Sequence, residues 1–260
     1  MPCHSGFLLP GCYICTMAVL FKKEVSQFFS GATGYLSILL FLAINGLYLF
    51  IFPDSNIFSS GYASLQPLFD IAPWVFLLLI PALTMRLFSE EWREGTMELL
   101  LTVPLRTYQI IGGKYLSSLL LLVIALLPTL FYYATIHALA AIASDLDQGA
   151  IIGSYVGLFL LGSVFAAIGT WCSSLSKNTV VAFLLSLFFC FMLYAGFDAL
   201  SRLPIFSGNL DYYLQLLGIQ YHYQSISRGV LSLQDIFYFL SLIAFFIYLT
   251  KWTLDKRKWE

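Results

Sequence analysis

Between Glu90 and Glu98 the chain places four carboxylates, Glu90, Glu91, Glu94 and Glu98, and one guanidinium, Arg93. Glu90, Glu94 and Glu98 are four residues apart, so a helix carries them on one face, and Arg93 pairs with Glu90 at i, i+3. Left alone, the three acids repel one another; the stripe makes sense where it meets something basic. Gly95 and Thr96 interrupt the helix, Leu99, Leu100 and Leu101 add an apolar patch, and Pro104 ends the element. A solvated loop accounts for the charges but not for this order. The chemistry on offer is recognition of another surface, not bond making.

Other residues with chemical potential lead less far. Cys12 and Cys15 form a C-x-x-C beside His4, but without a second pair this is weak ground for metal or redox chemistry. A phosphate loop requires G-x-x-x-x-G-K-[ST]. Around Gly113-Lys114 the chain has Tyr108 in place of the first glycine and Tyr115 in place of Ser or Thr. There is no H-E-x-x-H, no G-x-S-x-G and no cluster of carboxylates within the apolar runs. The chain therefore reads as a non-enzyme with no nucleotide site, metal site or cofactor of its own.

The elements that position these residues follow from composition. Of 260 residues, 60% are hydrophobic and 10% charged, with a mean hydropathy of +0.85. Soluble domains carry about 25% charged residues, so the chain reads as an all-α polytopic membrane protein. A net charge of -1 gives no sign of nucleic-acid binding. Six apolar runs approach bilayer length, near residues 35–52, 72–88, 110–139, 151–171, 180–200 and 236–250, and in hydrocarbon each must be helical. The second and sixth are short and extend into their flanks, and Pro128 predicts a kink in the third.

With both termini cytoplasmic, all of the 13 lysines and arginines except Arg202 and Arg228 fall inside, which sets the orientation. The 89–104 element then lies on the cytoplasmic side between spans two and three. Residues 19–30 read as an amphipathic helix on the bilayer surface, with Phe21, Val25, Phe28 and Phe29 on its apolar arc and Leu20 out of place. Ser30 to Gly34 allows a turn into the membrane. The segment 201–235 predicts short helices at the outer interface. Residues 1–16 read as an extension or disordered tail, and 17–260 as one transmembrane domain.

Asn45 lies in the middle of the first span, with Tyr35 and Tyr48 nearby. An amide at that depth prefers a helix contact, a dimer seam or an aqueous path to lipid. Gly153 and Gly157 give the fourth span a small-residue face for close packing, within this chain or against another. Cys172 and Cys190 read as packing residues, and His137 as interfacial.

The stretch "SEEWREGTMELLLTVPLRTYQIIGGKYL", residues 89–116, resembles the signature of ABC transporter permeases of the type-2 exporter kind. Six spans, an amphipathic first helix and outer helices before the last span extend the resemblance over residues 17–260. It implies a permease in a bacterial cytoplasmic membrane, driven by a separate ABC ATPase subunit that binds ATP and Mg. The implied coupling residues are Glu90, Glu91, Arg93, Glu94, Gly95, Thr96, Glu98 and Leu100. The first and fifth spans would face the pathway or dimer seam, which adds Tyr194 to Tyr35, Asn45 and Tyr48. A second permease copy or a related membrane subunit completes the assembly. "FKKEVSQFFSGATGYL" and "HYQSISRGVLSLQDIFYFLSL" resemble the gliding-motility-associated permease subunit. Permeases for copper-enzyme assembly or drug export share much of the pattern, and a passive anchor for a surface machine stays open.

Overall fold

A computed structural model describes residues 10–52, 65–97, 107–139, 148–202, 209–229 and 232–257, with side chains 10–18, 32–33, 138–139, 209–210 and 212–213 left aside. Among these residues every regular element is helical and no strand occurs. Five helices are long and apolar enough to cross a membrane, and a sixth span results if a pair bent by 68° is counted as one.

That bent pair opens the chain. Helix α1 (Pro10–Ser30) meets α2 (Ala32–Phe50) at Gly31, within the expected turn. On α2, Leu36, Leu39, Leu40, Ile44 and Leu47 are exposed along one side, whereas Phe41, Asn45 and Leu49 are fully buried. Phe41 stacks on Phe76 with centroids 5.0 Å apart, joining α2 to the next span.

The short runs lengthen as expected. Helix α3 (Gln66–Thr84) continues past Met85 into α4 (Arg86–Glu94), and the last helix, α12, runs Leu233–Arg257. Helix α5 (Thr107–Leu126) passes through a 3-10 turn at Leu127–Thr129 into α6 (Leu130–Leu139). The break coincides with Pro128, which has no N–H for the helical ladder.

Helix α7 (Gln148–Leu175) is the central post. Every residue from 161 to 170 is buried, although hydropathy alone does not separate this span from the others. Small residues let neighbours come close. A Cβ on Gly169 would sit 1.9 Å from Thr84 Oγ1, so α3 and α7 need glycine there.

Helix α8 (Thr179–Phe191) starts on an Asn178 cap that accepts from the Val180 amide at 2.9 Å. It widens into a π turn at Met192–Gly196 before α9 (Phe197–Ser201). No residue type from Met192 to Gly196 predicts this turn. Helices α10 (Asn209–Leu217) and α11 (Ile219–Ser227) follow.

Helix α11 packs one face against the bundle and leaves Tyr221 and Gln224 exposed on the other. Ile219, His222, Tyr223 and Ile226 are all buried. Ile226 covers Gly157, where a Cβ would meet its Cγ2 at 2.9 Å, and its carbonyl covers Gly153. The small-residue face of α7 is therefore filled by this chain's own α11. His222 closes the packing. Its Nδ1 lies 2.6 Å from Asp235 Oδ1 on α12, and its Nε2 2.9 Å from the Leu216 carbonyl on α10.

Candidate functional site

The acidic stripe begins on α4, which departs from α3 at Met85. The break leaves the α4 amides of Phe88 and Ser89 in need of partners. Ser173 of α7 supplies one: its Oγ accepts from Phe88 N at 3.0 Å and Ser89 N at 3.1 Å, and donates to the Met85 carbonyl at 2.9 Å. The start of α4 is thus capped from another helix.

Gly95 ends α4 with a φ of +71°, a left-handed conformation that costs a Cβ-bearing residue about 1–2 kcal/mol. No neighbour lies within 4 Å of its would-be Cβ, so backbone conformation, not space, demands glycine. The reversal returns Met97 to a fully buried position. Thr96 Oγ1 donates to the Glu91 carbonyl at 3.4 Å across the turn.

The five acidic or basic residues of α4, Arg86, Glu90, Glu91, Arg93 and Glu94, divide between two environments. Arg93 and Glu94, with Gly95 and Thr96 beyond them, are exposed, and Arg93 reaches Glu90 at 3.5 Å. Glu91 turns inward. Its Oε1 lies 3.1 Å from Lys114 Nζ of α5 and 3.3 Å from Lys23 Nζ of α1. Lys114 is fully buried and also holds Glu24 of α1 at 2.7 Å. Its ammonium donates to the Leu87 carbonyl and stands 5.2 Å from the centre of the Phe88 ring. Two lysines and two glutamates form a charge-neutral knot joining α1, α4 and α5. Neutrality matters, since an unpaired charge is costly to bury.

Lys114 and Glu24 were missed from sequence. The apolar arc through Phe21, Val25, Phe28 and Phe29 leaves Glu24 on the polar side of α1, and the charge count treats Lys114 only as one of the inside lysines. In the fold, α1 presents Leu20, Glu24 and Phe28 inward, all buried. These residues are spaced i, i+4, i+8, so the misplaced Leu20 belongs to the stripe that contains Glu24. Leu20 rests on α5 at Gly113, where a Cβ would lie 3.2 Å from its Cδ2. The apolar arc drawn through Phe21, Val25 and Phe29 is only half-buried, because α1 packs on α5 through the neighbouring Leu20–Glu24–Phe28 stripe. An acid four residues from two apolar ones was the available signal.

Beside the knot, an open cavity of about 330 Å³ separates α1 from α4, lined among others by Gln27, Arg86, Glu90 and Glu94. The same end of the bundle receives the end of α12. Arg257 lies 5.1 Å from the Trp92 ring and donates to the Leu175 carbonyl, while Thr107 donates to Asp255 at 2.7 Å.

The residues proposed for a pathway or seam are not brought together. Tyr35 is 59% exposed beside the bend, edge-on to Phe29 at 5.5 Å. Asn45 is fully buried; its Nδ2 donates to the Phe41 carbonyl at 2.7 Å, and its Oδ1 has no hydrogen-bond partner. Tyr48 is half-buried with its ring 6.2 Å from Phe52. Tyr194 sits elsewhere, in the π turn, buried edge-on between Trp74 at 5.6 Å and Phe165 at 6.2 Å. Glu98, Leu100 and Pro104, and the side chains of Cys12 and Cys15, lie outside the described residues. Among the described residues no group of His, Cys, Asp or Glu is arranged to hold a metal.

Comparison with known proteins agrees with this architecture. Residues 16–259 match the model of the ABC-2 family transporter proteins. A curated relative, the probable ABC transporter permease protein NosY of Pseudomonas aeruginosa, is 29% identical over 161 residues. That match covers 59% of this chain and 58% of the relative, so the chain spans little more than half of the relative's length. A family match over nearly the whole chain, on an all-helical bundle with five to six candidate spans, makes this a multi-pass membrane protein and a permease: the chain belongs to the ABC-2 family of transporter proteins.

Proposed function

We propose that this permease is the membrane half of an ATP-driven exporter, energised by a separate ABC ATPase subunit that docks on the exposed end of α4. The observation that carries the reading is the knot around Lys114. The exposed residues Arg93, Glu94, Gly95 and Thr96 are continuous with a helix tied to α1 and α5 by ions and to α7 by Ser173. A partner that binds this surface differently in its ATP-bound and free forms therefore acts on four helices at once. Such a difference in affinity is what a ligand needs to shift a conformational equilibrium.

In this reading the α4 end is cytoplasmic, both termini are inside, and ATP and Mg belong to the partner. Two permease copies, or this chain and a related membrane subunit, complete the transporter in a bacterial cytoplasmic membrane. The gathering of Lys23, Lys114, Arg93 and Arg257 at one end supports this orientation. The resemblance at residues 222–242 supports service to gliding motility.

The test is co-purification of the chain with the ATPase encoded beside its gene, with Glu94→Lys combined with Glu98→Lys. Reversing charge on an interface rim slows association and weakens the complex. At least a tenfold loss of complex and of permease-stimulated ATP hydrolysis is expected, with unchanged thermal stability of the permease alone. Full assembly and full stimulation by the variant would overturn the docking assignment.

A further inference from the structure

At the other end of the bundle, α3 and α11 face each other across an open cavity of about 370 Å³. We propose that this cavity binds a small zwitterion carrying an ammonium and a phosphate, the chemistry of a phosphoethanolamine group. The α3 wall presents Gln66, Asp70 and Trp74, four residues apart and so on one helical face. The α11 wall contributes Tyr223 and ends at Arg228, and Tyr194 enters from the π turn.

Two charges of opposite sign line this space. Asp70 accepts from Gln66 Nε2 at 3.1 Å. Neither Asp70 nor Arg228 forms an ion pair among the described residues. An anion alone would face the Asp70 carboxylate and a cation alone the Arg228 guanidinium, whereas a zwitterion answers both. Trp74 is 47% exposed and braced edge-on by the buried Tyr194. An ammonium held by a carboxylate beside an aromatic face is a recurrent arrangement, and a guanidinium is suited to phosphate oxygens.

The walls are preformed. Tyr223 Oη donates to the Phe69 carbonyl at 2.8 Å, pinning α11 to α3. Burial, with Tyr194 and Asp70 nearby, pushes the Tyr223 phenol well above its usual range, so it stays a donor at physiological pH. Insertion of a π turn is a frequent mark of functional sites, and here it delivers Tyr194 to the cavity. The volume is at the small end for ligand sites, suited to a headgroup-sized molecule and not to an acyl chain.

This site stands apart from the α4 docking reading, because it is tested on the permease alone. The purified chain in a neutral maltoside detergent is titrated with O-phosphoethanolamine, ethanolamine and inorganic phosphate, following tryptophan fluorescence with Trp74→Phe as the blank. A parallel arm uses nanodiscs with and without phosphatidylethanolamine. Saturable binding of phosphoethanolamine, at least about tenfold tighter than either half-molecule, is expected from two charge-assisted contacts. Asp70→Asn and Arg228→Gln should each weaken it about tenfold while the melting temperature holds. Binding in both arms assigns a free zwitterion, and binding in the nanodisc arm alone assigns a lipid headgroup. No saturable binding in either arm, equal binding of phosphate alone, or indifference to both substitutions would overturn the proposal.

Discussion

Lys114→Met removes the one fully buried ammonium among the described residues and leaves two carboxylates in its place. Glu24, 5% exposed, loses its partner outright, since Lys114 is its only ion-pair partner among the described residues. Glu91 keeps Lys23 at 3.3 Å, but that lysine side chain is 56% exposed and screened by water, so it offsets little. The Leu87 carbonyl also loses a donor. Removing one member of a buried pair costs about 3–5 kcal/mol, mostly the uncompensated charge left behind. Because Lys23 partly covers Glu91, the lower end applies, about 3 kcal/mol. For a chain of this size that corresponds to a fall in melting temperature of about 6–12 °C.

Thermal unfolding of the purified permease in detergent, read by near-ultraviolet circular dichroism, measures the fall. The second variant separates charge from packing. Adding Glu24→Gln to Lys114→Met discards the stranded carboxylate while leaving Glu91 with Lys23. The double variant is therefore expected to melt several degrees above the single one, an interaction of about 2 kcal/mol within the usual range for neighbouring charges. If Lys114→Met melts within about 2 °C of the native chain, or if the double variant is no more stable than the single, the knot is not holding α1 to α4.

Two further substitutions test how α4 and α3 are joined to the central post. Gly169→Ala places a methyl 1.9 Å from Thr84 Oγ1, with Thr84 Cβ at 2.7 Å, so α3 and α7 must separate. Overpacking of this kind costs about 1–3 kcal/mol, and Thr84→Ala should recover part of the loss in the same melting assay. Ser173→Ala leaves the Phe88 and Ser89 amides without their acceptor. A cost of about 1 kcal/mol is expected, with faster hydrogen exchange confined to the first turn of α4. Unchanged exchange there would show that α4 does not depend on α7 for its cap.

What the sequence made legible follows from the strength of each local signal. Long apolar runs permit only helices in hydrocarbon, so the spans were readable, and Pro128 and Gly95 marked their breaks because each restricts the backbone by itself. The π turn carries no such marker: Met192 to Gly196 is as apolar as the turns around it, and the extra residue answers to packing around Tyr194. The site was half legible for the same reason. Charges on α4 stand out against hydrocarbon, but whether each points out or in depends on what α1 and α5 bring to it. Arg93 and Glu94 look outward because no helix among the described residues faces them, while Glu91 looks inward because Lys114 and Lys23 do. Those partners lie 23 and 68 positions away in the chain, beyond any helical periodicity. A lysine near the end of an apolar helix ordinarily extends its ammonium to the interface. Lys114 instead stays fully buried, and it can do so only because Glu24 falls on the same stripe of α1 as Leu20 and Phe28. The i, i+4, i+8 spacing places the acid on the inward face of α1, but the glycine at position 113 is what lets α1 approach closely enough for the two charges to meet.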